Sequence, residues 1–281
     1  MGKILSIYEK WIYFPVVLWY DKEKPGGMAI ELRVISFTIR CCDDWYGNSI
    51  AERAPRLAQV TKRYMPDIMG FQEYRPDWMP HLLEHYGEEF EIYLKHRCEI
   101  DKEAVPILWR KDKFECLKQG YFWFSDTPEV ESKGWDELYD CYRICTYVIL
   151  REKQTGKELA FFSTHFGFGD AGQVRSAKLL MEYSKKISDL PTIVVGDFNM
   201  APDSPGHQEM EKYFVDVNTV TVNDLGTTFH NYTPETIETE HIDYCFVSPE
   251  IKALEQQIIR DRVDGMFPSD HFGLFALLDI E

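Results

Sequence analysis

Short runs of β-branched and aromatic residues, several joined in pairs by polar turns, constrain the fold of this chain most strongly. The clearest pair is YRICTYVIL at 142–150 and ELAFFST at 158–164, which a short polar segment connects as in a β-hairpin. Fewer stretches have helical periodicity, and the one at 49–65 carries Ser49 and Glu52 in the spacing of a capping box. Strands that come mostly as hairpins, with a few helices between them, predict antiparallel sheets covered by helices.

The remaining predicted elements follow the same pattern and describe a single domain. Further strands are predicted at 31–39, 67–73, 90–95, 105–109, 191–199, 241–248 and 271–280, and further helices at 77–86 and 173–187. Because no Pro/Gly/Ser-rich linker divides the chain of 281 residues, we expect one domain over 28–281. Residues 1–27 are an N-terminal extension of uncertain status.

The extension contains an apolar run at 11–20 that is too short to span a membrane, and no small-residue cleavage site follows it. A secretory signal is therefore the weaker interpretation. The seven cysteines have no regular spacing and form no CxxC pair, which indicates reduced thiols rather than a disulfide framework or a structural zinc site. We therefore expect a cytoplasmic protein.

The charge balance limits the classes of partner. The net charge of −16 argues against a general polynucleotide binder, whose affinity comes largely from neutralised phosphates. A local basic pocket, or a metal ion that inverts the local field, remains compatible with this charge.

Polar side chains recur at the ends of the predicted strands, where each apolar run supplies rigidity and its end supplies chemistry. These residues are Gln72, Glu73, His165, Asp197, Asn199, Asp243, Asp270 and His271. One such case is usually a turn former, but the recurrence favours a site. Carboxylates and an Asn carboxamide, with no Cys, are the hard oxygen ligands that suit Mg²⁺ or Mn²⁺. Neighbouring histidines supply proton transfer near neutral pH.

Four motifs in a fixed order carry a resemblance to a known family. IMGFQE at 68–73, GDFN at 196–199, HIDY at 241–244 and SDH at 269–271 are similar to those of the endonuclease/exonuclease/phosphatase superfamily. The resemblance covers about residues 30–281 and is greatest for the uncharacterised bacterial branch. It implies a four-layered α/β sandwich of two mostly antiparallel sheets flanked by helices, as in deoxyribonuclease I. It also implies Mg²⁺- or Mn²⁺-dependent hydrolysis of a phosphoester in one cleft.

The resemblance implies roles for individual residues. Glu73 and Asp270 would bind the metal. Asp197 would orient or deprotonate the attacking water and contact the metal, and Asn199 would hold a phosphoryl oxygen. His271 would lie against the scissile phosphate.

Other residues would support these. Asp243 would fix the tautomer of His271, and Glu103 would pair with His165, the family's other histidine. Arg97 and Arg143 are candidate phosphate contacts, since a guanidinium forks onto phosphate oxygens. An ordinary ion pair is the alternative for both arginines.

Two departures from the family pattern limit the transfer of substrate. Thr38 stands where the family usually has Asn, which leaves it a weak candidate for a metal contact. After His165 the family commonly reads L-D-H, whereas this chain has Phe166, Gly167 and Phe168, which predicts an aromatic wall in place of a polar substrate contact.

The expected substrate is accordingly a small or headgroup-sized phosphomono- or phosphodiester. An endo- or exonuclease acting on DNA or RNA is the first alternative, and a catalytically weak member that binds a ligand or partner is the second. Cys145 and Arg151 have the C-x5-R spacing of cysteine phosphatases, but the residues between them are those of a strand, whereas that chemistry needs a phosphate loop opening a helix.

Overall fold

The computed structural model describes residues 29–221, 226–234 and 240–281. Strands β1–β12 are, in chain order, Ile30–Thr38, Ile68–Gln72, Phe90–Tyr93, Ile107–Arg110, Phe114–Trp123, Ile144–Glu152, Glu158–His165, Thr192–Asp197, Val215–Asp216, Asp243–Val247, Ile251–Ile259 and Gly273–Ile280. Helices α1–α5 are Ile50–Arg63, Met79–Tyr86, Asp170–Ile187, Pro205–Met210 and Val217–Val220, and a 3₁₀ turn at Pro76–Trp78 leads into α2. The extension predicted at 1–27 lies outside the described residues.

The described strands form two six-stranded sheets, with the strand orders β11-β12-β1-β2-β4-β3 and β5-β6-β7-β8-β10-β9. Neighbouring strands are antiparallel except β1 with β2 and β7 with β8, which run parallel in the middle of their sheets. Helices α1 and α2 share an apolar core with the first sheet, and α3 and α4 share one with the second. The predicted four-layered sandwich is confirmed.

A third apolar core lies between the two sheets, where residues such as Val34 and Phe161 are buried. The sheets approach closely at Gly70, because a Cβ atom there would lie 2.5 Å from Cγ2 of Val195. Beside this contact, Gln72 Nε2 donates a 3.2 Å hydrogen bond to Ser163 Oγ across the interface. The strand ends of both sheets are therefore held at a fixed separation on the side where the polar residues lie.

Local signals in the sequence agree with the elements they predicted. Ser49 and Glu52 form the capping box at the start of α1, and β6 pairs with β7 as the predicted hairpin. Cys145 is buried within β6, as its β-branched neighbours predicted, so no phosphate loop follows it.

Strands β5 and β11 were not predicted from the sequence. Both lie at sheet edges, and their many exposed or half-buried residues break up the apolar run that identifies a buried strand. Across the described residues, no helix has both the length and the apolar character needed to cross a bilayer.

Candidate active site

The polar ends of the central strands of both sheets meet at one cavity of about 560 Å³. The predicted residues that line it are Glu73, Arg97, Glu103, Arg143, His165, Asp197, Asn199, Asp270 and His271. Asp243 and Thr38 are buried and do not line it. Sequence positions far apart in the chain are thus brought together because the ends of β2, β7 and β8 point to the same side.

His271 is held by the Asp243 carboxylate at the start of β10. The His271 Nδ1 and Asp243 Oδ2 atoms are 2.9 Å apart, and both side chains are buried. Burial opposes the charged imidazole, but the Asp243 charge and hydrogen bond outweigh it and raise the pKa of His271 to about 10. Thr38 Oγ1 lies 3.0 Å from Asp243 Oδ1 and buttresses the carboxylate from the first sheet.

Asp197 ends β8, and its two oxygens have different environments. Oδ1 accepts a 2.9 Å hydrogen bond from the backbone N–H of Asn199. Oδ2 lies 3.5 Å from His165 Nε2 and 4.0 Å from His271 Nε2. Burial, reinforced by the nearby Asp243 charge, raises the pKa of Asp197. This carboxylate is therefore poised between two imidazoles at the bottom of the cavity.

Asn199 has a positive φ of 50°, a conformation that Asn tolerates better than most residues. Its Nδ2 donates one hydrogen bond to the carbonyl of Phe166 at 3.0 Å. Its backbone carbonyl accepts from Gln173 Nε2. The amide is thus fixed at the cavity by the loop after β7 and by α3.

The predicted Glu103–His165 pair is in place but is not hydrogen-bonded. Glu103 Oε1 lies 3.5 Å from His165 Nδ1, and it accepts its short hydrogen bond, 2.7 Å, from Arg97 Nη1 instead. Burial and the Arg143 charge lower the pKa of His165 well below its usual value, which keeps the ring neutral. Arg97 is also forked onto Asp101, so its guanidinium is rigidly held.

Arg143 and two aromatic side chains form another part of the cavity wall. Arg143 is paired with Asp136 through Nε and Nη2 at 3.1 and 3.0 Å, and its guanidinium lies 6.0 Å from the centre of the Phe168 ring. Tyr139 lies 5.4 Å from Phe168, and both line the cavity. The prediction that Phe166 belongs to this wall is wrong: its ring is fully buried in the core of the second sheet, because the chain turns after β7.

Glu73 and Asp270, the predicted metal-binding carboxylates, both lie near the guanidinium of Arg40. Arg40 Nη1 lies 4.0 Å from Glu73 Oε2, and Arg40 Nε lies 3.6 Å from Asp270 Oδ2. Burial raises the pKa of Asp270, although the His271 charge opposes it. Sequence reasoning missed Arg40, although it closely follows β1 in the same way that Glu73 follows β2.

The donor set at this edge suits a hard divalent cation, since Glu73, Asp270 and Asp197 offer carboxylate oxygens to one cavity. Asp197, Asp243 and His271 also form a group whose ligand atoms lie within 4.8 Å of one another. In that group, His271 Nδ1 and Asp243 Oδ2 are already bonded to each other, which favours a charge pair over shared ligands. The carboxylates of Glu73 and Asp270 are therefore the chemically suitable ligands for a metal ion in this cavity, with the Asp197 carboxylate as a further lining group.

A family model described as "Endonuclease/Exonuclease/phosphatase family" matches residues 45–271. A solved structure of a protein of that family from Bacteroides thetaiotaomicron is 28% identical with a TM-score of 0.84, over 91% of this chain and 97% of that chain. A solved structure described as a mannosyl-6-phosphatase from the same bacterium is 29% identical with a TM-score of 0.79, over 88% of this chain and 99% of that chain.

A curated relative from Acanthamoeba polyphaga mimivirus, an uncharacterized protein, is 31% identical over 142 residues, which is 48% of this chain. The match spans 53% of the length of that relative.

Proposed function

The chain belongs to the endonuclease/exonuclease/phosphatase family, and we propose that it is a phosphoesterase that uses Mg²⁺ or Mn²⁺ and in-line attack of water on a small or headgroup-sized substrate. The observation that carries the proposal is the convergence of Glu73, Asp197, Asn199, Asp270 and His271 on one cavity. Carboxylates, an amide and a charged imidazole in one place can hold a metal ion, orient a water molecule and stabilise the charge that develops during phosphoryl transfer.

A divalent ion held by Glu73 and Asp270 would neutralise the charge that develops on the phosphoryl group and the leaving oxygen. His271, kept as imidazolium by Asp243, donates a hydrogen bond or proton from Nε2 toward the scissile phosphate. Because Asp243 holds Nδ1, the orientation of the ring is set before substrate enters.

Asp197 is the group that orients the attacking water and accepts its proton. The Asn199 N–H occupies Oδ1, so Oδ2 is the oxygen directed at His165 and His271 in the cavity. Asn199 keeps one amide N–H beyond the bond to Phe166, and this N–H holds a phosphoryl oxygen.

A small phosphoester is favoured by the walls of the cavity. Arg97 and Arg143 supply positive charge close to the carboxylates, while Tyr139 and Phe168 supply an aromatic edge on which a flat or apolar leaving group packs. The net charge of −16 opposes the approach of a polyanion. The structural similarity to a protein described as a mannosyl-6-phosphatase supports the same substrate size.

The test is a turnover panel on the metal-stripped full chain. Sugar phosphates, nucleotide phosphodiesters, lipid headgroup phosphates and duplex DNA are each assayed with Mg²⁺, Mn²⁺ or excess EDTA. We expect hydrolysis of a small ester that needs the metal, and a loss of at least about 100-fold in Asp197→Asn and His271→Gln. His81→Gln, on the outer helix α2, is the matched control and keeps full activity.

Other results identify the alternatives. Full activity in EDTA contradicts the metal requirement. Cleavage of duplex DNA that falls steeply as salt rises identifies a nuclease. Ligand binding without turnover of any ester identifies a catalytically weak binding member.

A further inference from the structure

The loop after β1 is built to aim Arg40 into the cavity. Arg40 has a positive φ of 65°, which is unfavourable for a long side chain, so the surrounding contacts must enforce it. Its carbonyl accepts hydrogen bonds from Trp78 Nε1 at 2.9 Å and from Arg53 Nη2 at 3.2 Å. The fully buried Arg53 also binds the carbonyls of Ile39 and Cys42 on either side.

The guanidinium of Arg40 is fixed by one carboxylate and shared with two more. Asp44 accepts from Nε at 2.9 Å and from Nη2 at 3.1 Å, a forked pair that sets the plane of the group. From this anchor, Nε lies 3.6 Å from Asp270 Oδ2 and Nη1 lies 4.0 Å from Glu73 Oε2. Glu73 receives a second donor, the N–H of Cys41 at 3.1 Å.

These contacts place the positively charged Arg40 guanidinium beside the carboxylates that would bind a metal ion. Whereas the His271 charge acts on the Asp270 side, the positive charge of Arg40 faces both Glu73 and Asp270, which the proposed function assigns to a divalent ion. The two cations then share the same carboxylates, and like charges this close repel strongly in a site that is only partly solvated. The Arg40 side chain is 32% exposed, and its forked pair with Asp44 does not depend on its contacts with Glu73 and Asp270.

We propose that Arg40 is a resident counter-ion of the Glu73–Asp270 pair, that it competes with the incoming divalent ion, and that on displacement its free N–H groups bind a phosphoryl oxygen. The inference rests on the proposed function. It makes metal binding and phosphate binding mutually reinforcing, because phosphate stabilises the displaced arginine and the metal releases it. By linkage, each ligand tightens the other by the same factor.

The experiment is calorimetric titration of the metal-stripped full chain with Mn²⁺ alone, and again in saturating inorganic phosphate. The informative variant is Arg40→Asn, since Asn accepts the positive φ and removes the charge. Arg40→Lys keeps the charge without the fork, and Arg97→Gln is the control, because it removes a cavity arginine that is tied to Asp101 and Glu103 instead.

We expect Arg40→Asn to bind Mn²⁺ more tightly than the wild type by on the order of tenfold in the absence of phosphate, with a smaller change in Arg97→Gln. Arg40→Lys should stay close to the wild type. Phosphate should tighten Mn²⁺ binding severalfold in the wild type and less in Arg40→Asn.

The outcomes separate this inference from the proposed function. Equal or weaker Mn²⁺ affinity in Arg40→Asn, with clear binding to the wild type, overturns the counter-ion role alone. An effect of Arg97→Gln as large as that of Arg40→Asn also overturns it, because the cause would then be the general field of the cavity. Absence of Mn²⁺ binding by the wild type overturns the metal proposal and the inference together.

Discussion

Arg53→Met tests whether one buried arginine holds the loop after β1 in place. The guanidinium donates to the carbonyls of Ile39, Arg40, Cys42 and Asn48 at 2.5, 3.2, 2.6 and 2.8 Å. Met fills much of the same volume but donates nothing. In this variant the Arg40 carbonyl still accepts from Trp78 Nε1, and the Asn48 carbonyl still accepts from the N–H of Asp44. Among the described residues, the carbonyls of Ile39 and Cys42 are then left without a donor.

The magnitude follows from those two acceptors. A buried carbonyl without a donor costs roughly 1–3 kcal/mol, so we expect a loss of roughly 2–6 kcal/mol in the free energy of unfolding. This is a large part of the 5–15 kcal/mol that is typical of a whole domain. The measurement is urea unfolding by fluorescence, with the slope compared between variants to show that the unfolding transition is unchanged in character.

The matched control is Arg56→Met on the same helix. Arg56 also bonds to this loop, through the Gly47 carbonyl and the Asn48 side chain, but the contacts to Asn48 are long at 3.4 Å. We expect the Arg56 variant to lose clearly less stability. A loss below about 1 kcal/mol in Arg53→Met would refute the reasoning, as it would show that water satisfies the loop carbonyls without the arginine.

Three further predictions concern other parts of the molecule. Tyr139→Ala removes an exposed ring at the cavity edge, so KM should rise severalfold with little change in kcat or in thermal stability; an unchanged KM excludes the aromatic edge as a substrate contact. His207→Gln removes the partner of Asp216. Burial opposes the charged ring but Asp216 raises the pKa of His207, so its stabilisation is full below about pH 6.5 and is lost as the pH rises through the raised pKa; the difference in urea midpoint between wild type and variant should be larger at pH 5.5 than at pH 9. Thr38→Val removes the hydroxyl that contacts Asp243, which should slow turnover severalfold while leaving Mn²⁺ affinity unchanged in calorimetry; weakened affinity would instead support a metal role for Thr38.

The central strands were predictable because each is a continuous apolar run buried on both faces, and their polar ends stand out against it. The same contrast identified Glu73, Asp197 and His271. Strands β5 and β11 were missed because an exposed face at a sheet edge removes that contrast. Periodicity describes burial, so it is informative in the middle of a sheet and weak at its edge.

Side-chain pairing within the site was less predictable than the strand ends. Phe166 and Phe168 stand two positions apart, and only the turn after β7 determines that one enters the core and the other lines the cavity. Glu103 lies near His165 as expected, but its carboxylate accepts a hydrogen bond from Arg97, which is six positions earlier in the chain. Arg40 escaped prediction because its position depends on contacts with Arg53 and Trp78, which the local sequence does not reveal.

The two sheets pack closely at Gly70, and the charge pair of the site is assembled only when they pack together. Thr38 and His271 come from the first sheet and Asp243 from the second, so the charge pair exists only after the sheets have docked. Thr38 and Asp243 are separated by 205 residues, so their contact is non-local and forms only when a long stretch of chain is closed. Turnover during refolding therefore reports the docking of the two halves, and an intermediate with either sheet formed alone would be inert.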